Sequence, residues 1–282
     1  MIFQKNYKRL LDKIEETLAS AVRIDTPKKL RESMNYTLLS GGKRLRPLLY
    51  LAVIEAYGYA PDKSDFDVAS AIECVHAYSL IHDDLPCMDD DDFRRGKPTN
   101  HKVFGEAIAL LSGDGLLTLA FELLAKASLM DGKYAKIMHK IAESVGACGM
   151  IAGQSMEFDG EITDTKRLLC INGLKTGKLI QSAFVCGCLS TQKSDDLNIW
   201  QEIGYKFGQA FQICDDLLDE RKDENSLVAK IGRTEAEKIL YTVEAEIESL
   251  LDKLNIDGQF IKSIAKTFLF RSTDSIKEYV TT

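Results

Sequence analysis

Proline disappears from this chain after residue 98. All five prolines (Pro27, Pro47, Pro61, Pro86 and Pro98) lie before that point in a sequence of 282 residues. Proline lacks a backbone N–H and its ring clashes with the preceding helical turn, so it interrupts helices more strongly than any other residue. The later chain is therefore free to form long helices. Its apolar residues recur at three- and four-residue intervals in "LLTLAFELLAKA", "KIMHKIAESVGACGMIAGQ" and "AEKILYTVEAEIESLLDKL", which is the period of a helix with one buried face. No sustained strand alternation, internal repeat, low-complexity tract or long Gly/Ser linker interrupts the pattern. The expected fold is all-α, a single large helical bundle with one domain over residues 1–282.

The net formal charge of −7 and pI near 5.3 narrow the possible partners. An acidic protein repels a phosphate backbone or an anionic membrane surface, so nucleic-acid binding is not expected. An anionic substrate would need a local site lined by cations or metal. Seven cysteines, an odd number with no CxxC pair, form neither a disulfide framework nor a zinc knuckle and suggest a reducing, cytoplasmic setting. The opening "MIFQKNYKRLLDKIEETL" is a charged amphipathic helix, unlike a signal peptide. The most apolar stretch, "AIALLSGDGLLTLAFELLA", contains Asp114 and Glu122 and falls short of the roughly 20 clean apolar residues of a membrane span.

Against this background, "HDDLPCMDDDDFRRG" (residues 82–96) is unusual: six of the ten residues from Asp83 to Asp92 are aspartates, and Arg94 and Arg95 follow. The preceding "SAIECVHAYSLIHDD" reads as a helix that Pro86 stops. Carboxylates at a helix C-terminus meet the negative end of its macrodipole, so the cluster has no structural advantage there. A second acidic cluster, "FQICDDLLDE", places Asp215 and Asp219 one helical turn apart, with Asp216 beside them and Gln212 one turn before Asp216. An isolated acidic run is most often a solvated loop, but this one is framed by apolar helical sequence and followed by a basic pair. Two such clusters on different helices can face each other across a bundle. Their donors are all hard oxygens, which favours Mg²⁺, an ion that keeps several waters and bridges carboxylates to substrate phosphates.

Cations recur elsewhere. "GGKRLRP" sets Lys43, Arg44 and Arg46 behind a glycine pair suited to a tight turn; it reads equally well as a helix cap with a basic first turn. "KTGK" (residues 175–178) reads as a helix interrupted at Gly177, with Lys175 and Thr176 free to meet an anion. His76 shares a helical face with Asp83, although a lone helical histidine is usually a core residue.

The blocks "GGKRLRP", "HAYSLIHDDLPCMDDDDFRRGKPTNHKVFGE", "AGQSMEF", "KTGKLI" and "FQICDDLLD" span residues 41–219. Together they resemble the trans-isoprenyl diphosphate synthases, specifically the bacterial and plastid-type short-chain farnesyl and geranylgeranyl diphosphate synthases. The resemblance implies an isoprenoid-synthase bundle, usually homodimeric, with two aspartate motifs facing across a deep central cavity. It implies that Asp83, Asp84, Asp89, Asp215, Asp216 and Asp219 hold three Mg²⁺, with Mn²⁺ a possible substitute. Arg94, Lys175, Thr176 and Gln212 would then bind an allylic diphosphate, while Lys43, Arg46, His76 and Arg95 bind isopentenyl diphosphate. The catalytic set it implies is Asp83, Asp84, Asp89, Arg94, Lys175 and Asp215.

Two departures from the family pattern stand out. Glu157 occupies a position where the family has Asp, and the segment after Asp219, "DERKDENSLVAKIG", omits a loop that normally supplies a further lysine. Lys222 is the candidate substitute. A terpene cyclase on the same fold would not need the second diphosphate pocket formed by "GGKRLRP" and Arg95. A non-catalytic partner subunit would be marked by lost aspartates, and both motifs are intact. For product length, Ser79 and Tyr78 lie four and five residues before Asp83, where a growing prenyl chain must pass. The Tyr78 ring is bulky enough to close the cavity floor. It predicts mainly C15 product, with C20 as the alternative because the aspartate block resembles plastid relatives.

Overall fold

The computed structural model describes residues 2–160, 164–218 and 226–269. Among them the regular structure is helical except for one hairpin of two-residue strands, β1 (Phe93–Arg94) and β2 (Lys97–Pro98), paired antiparallel. The fold class is all-α, as the helical spacing predicts. The residues form two compact units. One combines Met1–Leu51 with Pro61–Met138, and the other combines Ala52–Ala60 with the chain from His139.

The first unit contains α1 (Ile2–Ala21), α2 (Lys28–Leu38), most of α3 (Leu45–Ala56), α4 (Lys63–Asp83), α5 (Asn100–Phe104) and α6 (Glu106–Met130). Helix α1 is amphipathic: Leu10, Ile14 and Leu18 repeat every fourth residue and are fully buried against the unit, while its lysines and Glu16 face out. Each such leucine contributes about 1.5–3 kcal/mol by leaving water. Helix α4 is the core of the unit. Residues from Val68 to Val75 are all buried, so it carries no polar stripe, the condition of a helix enclosed on every side.

The start of α4 is fixed by a reciprocal cap in which the Asp62 carboxylate accepts the Asp65 N–H at 2.9 Å and the Asp65 carboxylate accepts the Asp62 N–H at 3.0 Å. Such caps satisfy orphan N–H groups of the first turn. The Tyr50 and Tyr134 hydroxyls also donate to Asp65, at 2.9 and 3.0 Å. At its other end α4 stops at Asp83, with Asp84 as the capping residue. Pro86 disfavours helical backbone at Leu85, which accounts for the stop.

Helix α6 is long and apolar on average although it carries Asp114 and Glu122, and it is no strong candidate for a membrane span. Its Ala109, Leu116, Ala120 and Leu124 are buried, and it packs against α4, α2 and α5. One face of the helix is therefore buried in the unit, while Leu110, Leu111, Leu129 and Met130 are exposed.

Helix α7 (Lys133–Val145) begins in the first unit and ends in the second. The second unit continues with α8 (Met150–Phe158), α9 (Thr165–Asn172), a π-helical turn (Gly173–Gly177), α10 (Lys178–Ser190), α11 (Leu197–Leu218), α12 (Leu227–Ile231), α13 (Arg233–Leu251) and α14 (Gln259–Phe268). Its core is built on α10, α11 and α13, with Phe184 stacked on Trp200 at 5.9 Å and tilted against Phe207 at 5.3 Å. Tyr57 belongs to this unit. Its hydroxyl donates to Asp196 at 2.5 Å and accepts from the Trp200 indole at 2.9 Å.

Candidate active site

The acidic run of the first unit forms a folded loop. Main-chain bonds from Met88 N to Leu85 O (2.9 Å), Asp89 N to Asp83 O (2.9 Å) and Asp90 N to Leu85 O (3.2 Å) wrap it back over the end of α4. Asp83 and Asp89, six residues apart in sequence, are thereby tied together at the main chain. The hairpin that follows presents Arg94 to Asp84. Arg94 Nε donates to Asp84 Oδ1 at 2.7 Å, and its Nη2 lies 2.6 Å from the same oxygen and 3.6 Å from Asp91. The Asp84 carboxylate is buried, and burial pushes its carboxyl upward from the ordinary carboxylate range even against the pull of Arg94. Burying a charge is costly unless it is paired, so the cation set directly behind the acidic run has a physical reason.

The loop is anchored at its exit. The Thr99 hydroxyl donates to Asp91 O at 2.7 Å, and Lys102 pairs with Asp92 at 2.6 Å. Asn100 is buried and donates to Ser33 O (2.9 Å) and the Thr37 hydroxyl (3.0 Å), while the Ser33 hydroxyl donates to its side-chain oxygen at 2.7 Å. The motif reading did not single out Thr99 or Asn100 individually. Their signal was the polar run "KPTNH" directly after the basic pair.

The second cationic group gathers around His76. Arg46, Arg95, Arg44 and Arg94 all act on its imidazole, and burial followed by these cations holds it well below the ordinary histidine range. It is therefore neutral near pH 7. The Arg95 guanidinium donates to Gly41 O at 2.5 Å and covers Gly42, where a Cβ would lie 2.7 Å from its Nη1. Lys43 is exposed beside them. Arg44, the middle cation of "GGKRLRP", turns away from this group. Its buried guanidinium pairs with Glu15 and Glu73, both at 2.7 Å, and donates to Leu38 O at 2.7 Å. Arg44 (φ +44°), Asp90 (+50°) and Arg95 (+53°) all hold left-handed backbone, which costs a non-glycine residue energy and tends to occur at functional sites.

On α4, Ser79 donates to His76 O at 3.0 Å. Tyr78 is buried, and desolvation together with Asp83 pushes its phenol up to about 12.

In the second unit the expected helix break at Gly177 takes a different form. The chain stays helical and widens into the π turn Gly173–Gly177, continuous with α9 and α10. Such bulges are frequent at functional sites. The turn carries Lys175 and Thr176, and the Lys175 ammonium pairs with Glu157 at 2.5 Å. The longer carboxylate at position 157 thus reaches this lysine directly, a partnership the motif reading missed. Two glycines accommodate the turn. A Cβ at Gly153 would overlap Lys175 N, and one at Gly208 would lie 2.9 Å from Gly177 Cα.

On α11, the Gln212 amide donates to Asp216 Oδ1 at 3.0 Å, which matches the one-turn spacing, and Asp216 Oδ2 accepts Leu227 N at 2.9 Å. Asp215 is exposed beside it. Asp219 and Lys222 lie outside the described residues. Among those described, no three His, Cys, Asp or Glu side chains come together as a preformed ion cage. The donor set still fits Mg²⁺, because carboxylate oxygens are its preferred ligands and it commonly takes only one or two of them, with waters and substrate phosphates completing its shell.

The described residues thus make an all-α protein with a folded acidic loop, Arg94 paired against it and a lysine on a widened helical turn. The comparisons narrow that description. Residues 27–238 match the model of the polyprenyl synthetase family. The chain is 39% identical to the farnesyl diphosphate synthase of Bacillus subtilis, covering 90% of each chain. It is also 40% identical to the heterodimeric geranylgeranyl pyrophosphate synthase large subunit 1 of Arabidopsis thaliana, over 87% of this chain and 70% of that one. Its fold matches the crystal structure of an FPP/GFPP synthase from Zymomonas mobilis with TM-score 0.87 and 32% identity, covering 95% of this chain and 99% of the other. The chain belongs to the polyprenyl synthetase family and has the all-α isoprenoid-synthase fold.

Proposed function

We propose that the protein is a Mg²⁺-dependent trans-prenyltransferase that condenses isopentenyl diphosphate with dimethylallyl or geranyl diphosphate to give mainly farnesyl diphosphate. The observation that carries this reading is the pair of separate cationic groups beside the acidic loop, Arg94 on Asp84 and the cluster around His76, in a chain 39% identical to a farnesyl diphosphate synthase. A synthase joining two diphosphates needs two anion sites, whereas a terpene cyclase needs one. Intact aspartates in both motifs weigh against a non-catalytic partner subunit.

In this reading Arg94, Lys175, Thr176 and Gln212 hold the allylic diphosphate, and Lys43, Arg46, His76 and Arg95 hold isopentenyl diphosphate. Asp83, Asp84, Asp89, Asp215, Asp216 and Asp219 are the residues assigned to the metal ions. When bound, the ions neutralise the diphosphate and stabilise charge developing on the leaving group. Arg94 and Lys175 each add fixed positive charge for the leaving diphosphate, which favours breaking the allylic C–O bond. The double bond of isopentenyl diphosphate then donates its electron pair to the allylic cation, forming the new C–C bond, and the released diphosphate accepts the proton lost in re-forming the alkene. Asp84 also orients Arg94, with which it pairs. Neutral His76 can donate one hydrogen bond to a diphosphate oxygen without deepening the repulsion among the arginines around it.

Tyr78 serves as the floor of the prenyl cavity and Ser79 as the open position above it, giving C15. A C20 product is the second reading, favoured by the geranylgeranyl pyrophosphate synthases among the relatives. The working form is a cytoplasmic homodimer. All seven cysteines are free thiols, and the exposed Leu110 and Leu111 on α6 offer apolar surface for a second copy. Incubation with labelled isopentenyl diphosphate, each allylic partner and Mg²⁺, followed by sizing of the products, tests the reading. Farnesyl diphosphate is expected, and the absence of any chain elongation would overturn it.

A further inference from the structure

Tyr78 does not hold its own position. Among the described residues its hydroxyl has no hydrogen-bond partner, so the ring's orientation depends on what it packs against. Four residues on, one turn along α4, His82 meets it edge-on, with ring centroids 5.7 Å apart and planes at 78°. Residues at this spacing on a helix are surface neighbours.

His82 is itself held from behind by α6. Its Nε2 lies 3.0 Å from Leu110 O, and since a carbonyl only accepts, Nε2 carries the proton. The same nitrogen is 3.8 Å from an Asp114 carboxylate oxygen. The imidazole also rests directly on the backbone at Gly113, where an added Cβ would overlap its ring. The imidazole is thus seated against a residue with no side chain, one nitrogen is tied to the α6 main chain, and the ring makes a T-shaped contact with Tyr78.

We propose that His82, seated on Gly113 and Leu110 of α6, is a specificity-determining positioning residue that sets product length by fixing the Tyr78 ring. The inference rests on the reading of Tyr78 as the cavity floor. His82 need not touch the prenyl chain. It removes the rotamer freedom that would let the tyrosine swing aside, and a floor that can swing admits a longer chain.

The test is a product-length comparison at equal isopentenyl diphosphate consumption for wild type, Tyr78→Ala, His82→Ala, Gly113→Ala and the Tyr78→Ala/His82→Ala double variant. Reading a ratio of products makes any slower turnover beside Asp83 irrelevant. His82→Ala is expected to raise the ratio of longer to normal product by about two- to tenfold, the range an aromatic edge contact corresponds to. Gly113→Ala, which must displace the imidazole, is expected to move the ratio as well, so the result does not hang on one variant. The double variant should give the product length of Tyr78→Ala alone, because a residue acting through another adds nothing once that other is removed. An unchanged ratio in His82→Ala, while Tyr78→Ala shifts it, overturns the brace and leaves the floor standing. A His82→Ala shift that persists in the Tyr78→Ala background also overturns it. No shift in Tyr78→Ala strikes the floor reading itself, and the brace falls with it.

Discussion

The Arg94 guanidinium donates from Nε to one oxygen of Asp84 at 2.7 Å and holds Nη2 2.6 Å from the same oxygen, closing the folded loop that joins α4 to β1. The carboxylate is 5% exposed and the guanidinium 31%. The pair therefore has one desolvated member, and breaking it from the Arg94 side strands a buried charge. Arg94→Ala is expected to destabilise the protein by about 1.5–3 kcal/mol, the range for a hydrogen bond to a charged group, and to raise the allylic KM. Denaturant titration and steady-state kinetics would check both. A stability change within about 0.5 kcal/mol, the scale of ordinary surface substitutions, would show that Asp84 finds another partner.

Activity is expected to require a divalent metal, because the acidic loop and the Asp215–Asp216 pair supply hard oxygen donors in an otherwise polyanion-repelling protein. Excess EDTA should abolish turnover, with Mg²⁺ restoring it and Mn²⁺ substituting. Asp83→Ala and Asp215→Ala should each lower kcat by several orders of magnitude. Turnover that survives chelation would rule out the metal reading. A near-normal rate in either variant would remove that aspartate from the site.

His76 makes stability depend on pH in a stated direction. Burial and the surrounding arginines hold its folded-state pKa well below the ordinary value of 6.5. Between the two values the unfolded chain binds the proton and the folded protein does not, so stability falls as pH drops below about 6.5. The loss attributable to this one group is at most about 1.4 kcal/mol per pH unit. Thermal melts between pH 7.5 and 5.5 should show a smaller decline for His76→Gln than for wild type; parallel declines would mean His76 is protonated in the folded state.

The fold class and parts of the candidate site's local geometry were legible in the sequence because both rest on local spacing. Helical period and the placement of proline specify helices. The i, i+4 relation predicted the Gln212–Asp216 hydrogen bond, and Pro86 predicted where α4 ends. What could not be read depends on contacts between distant segments. Arg44 and Arg46 have the same composition and nearly the same sequence setting, yet Glu15 and Glu73 draw Arg44 into the core, and nothing local distinguishes them. The Lys175–Glu157 pair joins residues on two helices. The π turn looked like a break at Gly177 because a glycine in a helical run signals weakness, whereas here Gly177 leaves room for Gly208 of α11 to lie against it.

That close approach gives a further expectation. The π turn carrying Lys175 and Thr176 lies between α8 and α11, and each of those helices meets it through a glycine, Gly153 and Gly208. The atoms a new Cβ would meet belong mainly to the main chain: Lys175 N and Cα at Gly153, and Gly177 Cα at Gly208. Main chain cannot swing aside as a side chain can, so relief must come from moving the turn itself. Overpacking of this kind typically costs about 1–3 kcal/mol. Gly153→Ala and Gly208→Ala are therefore expected to lower stability by that order. They should also displace Lys175 from its Glu157 partner, which weakens the allylic diphosphate site selectively. The distinguishing measurement is the pair of Michaelis constants: the allylic KM should rise severalfold while that for isopentenyl diphosphate, whose proposed residues lie in the first unit, changes little. If both constants rise together in step with lost stability, the glycines serve packing alone. If neither constant nor the melting temperature moves, the turn tolerates the added methyl and its tight seating is not what positions Lys175.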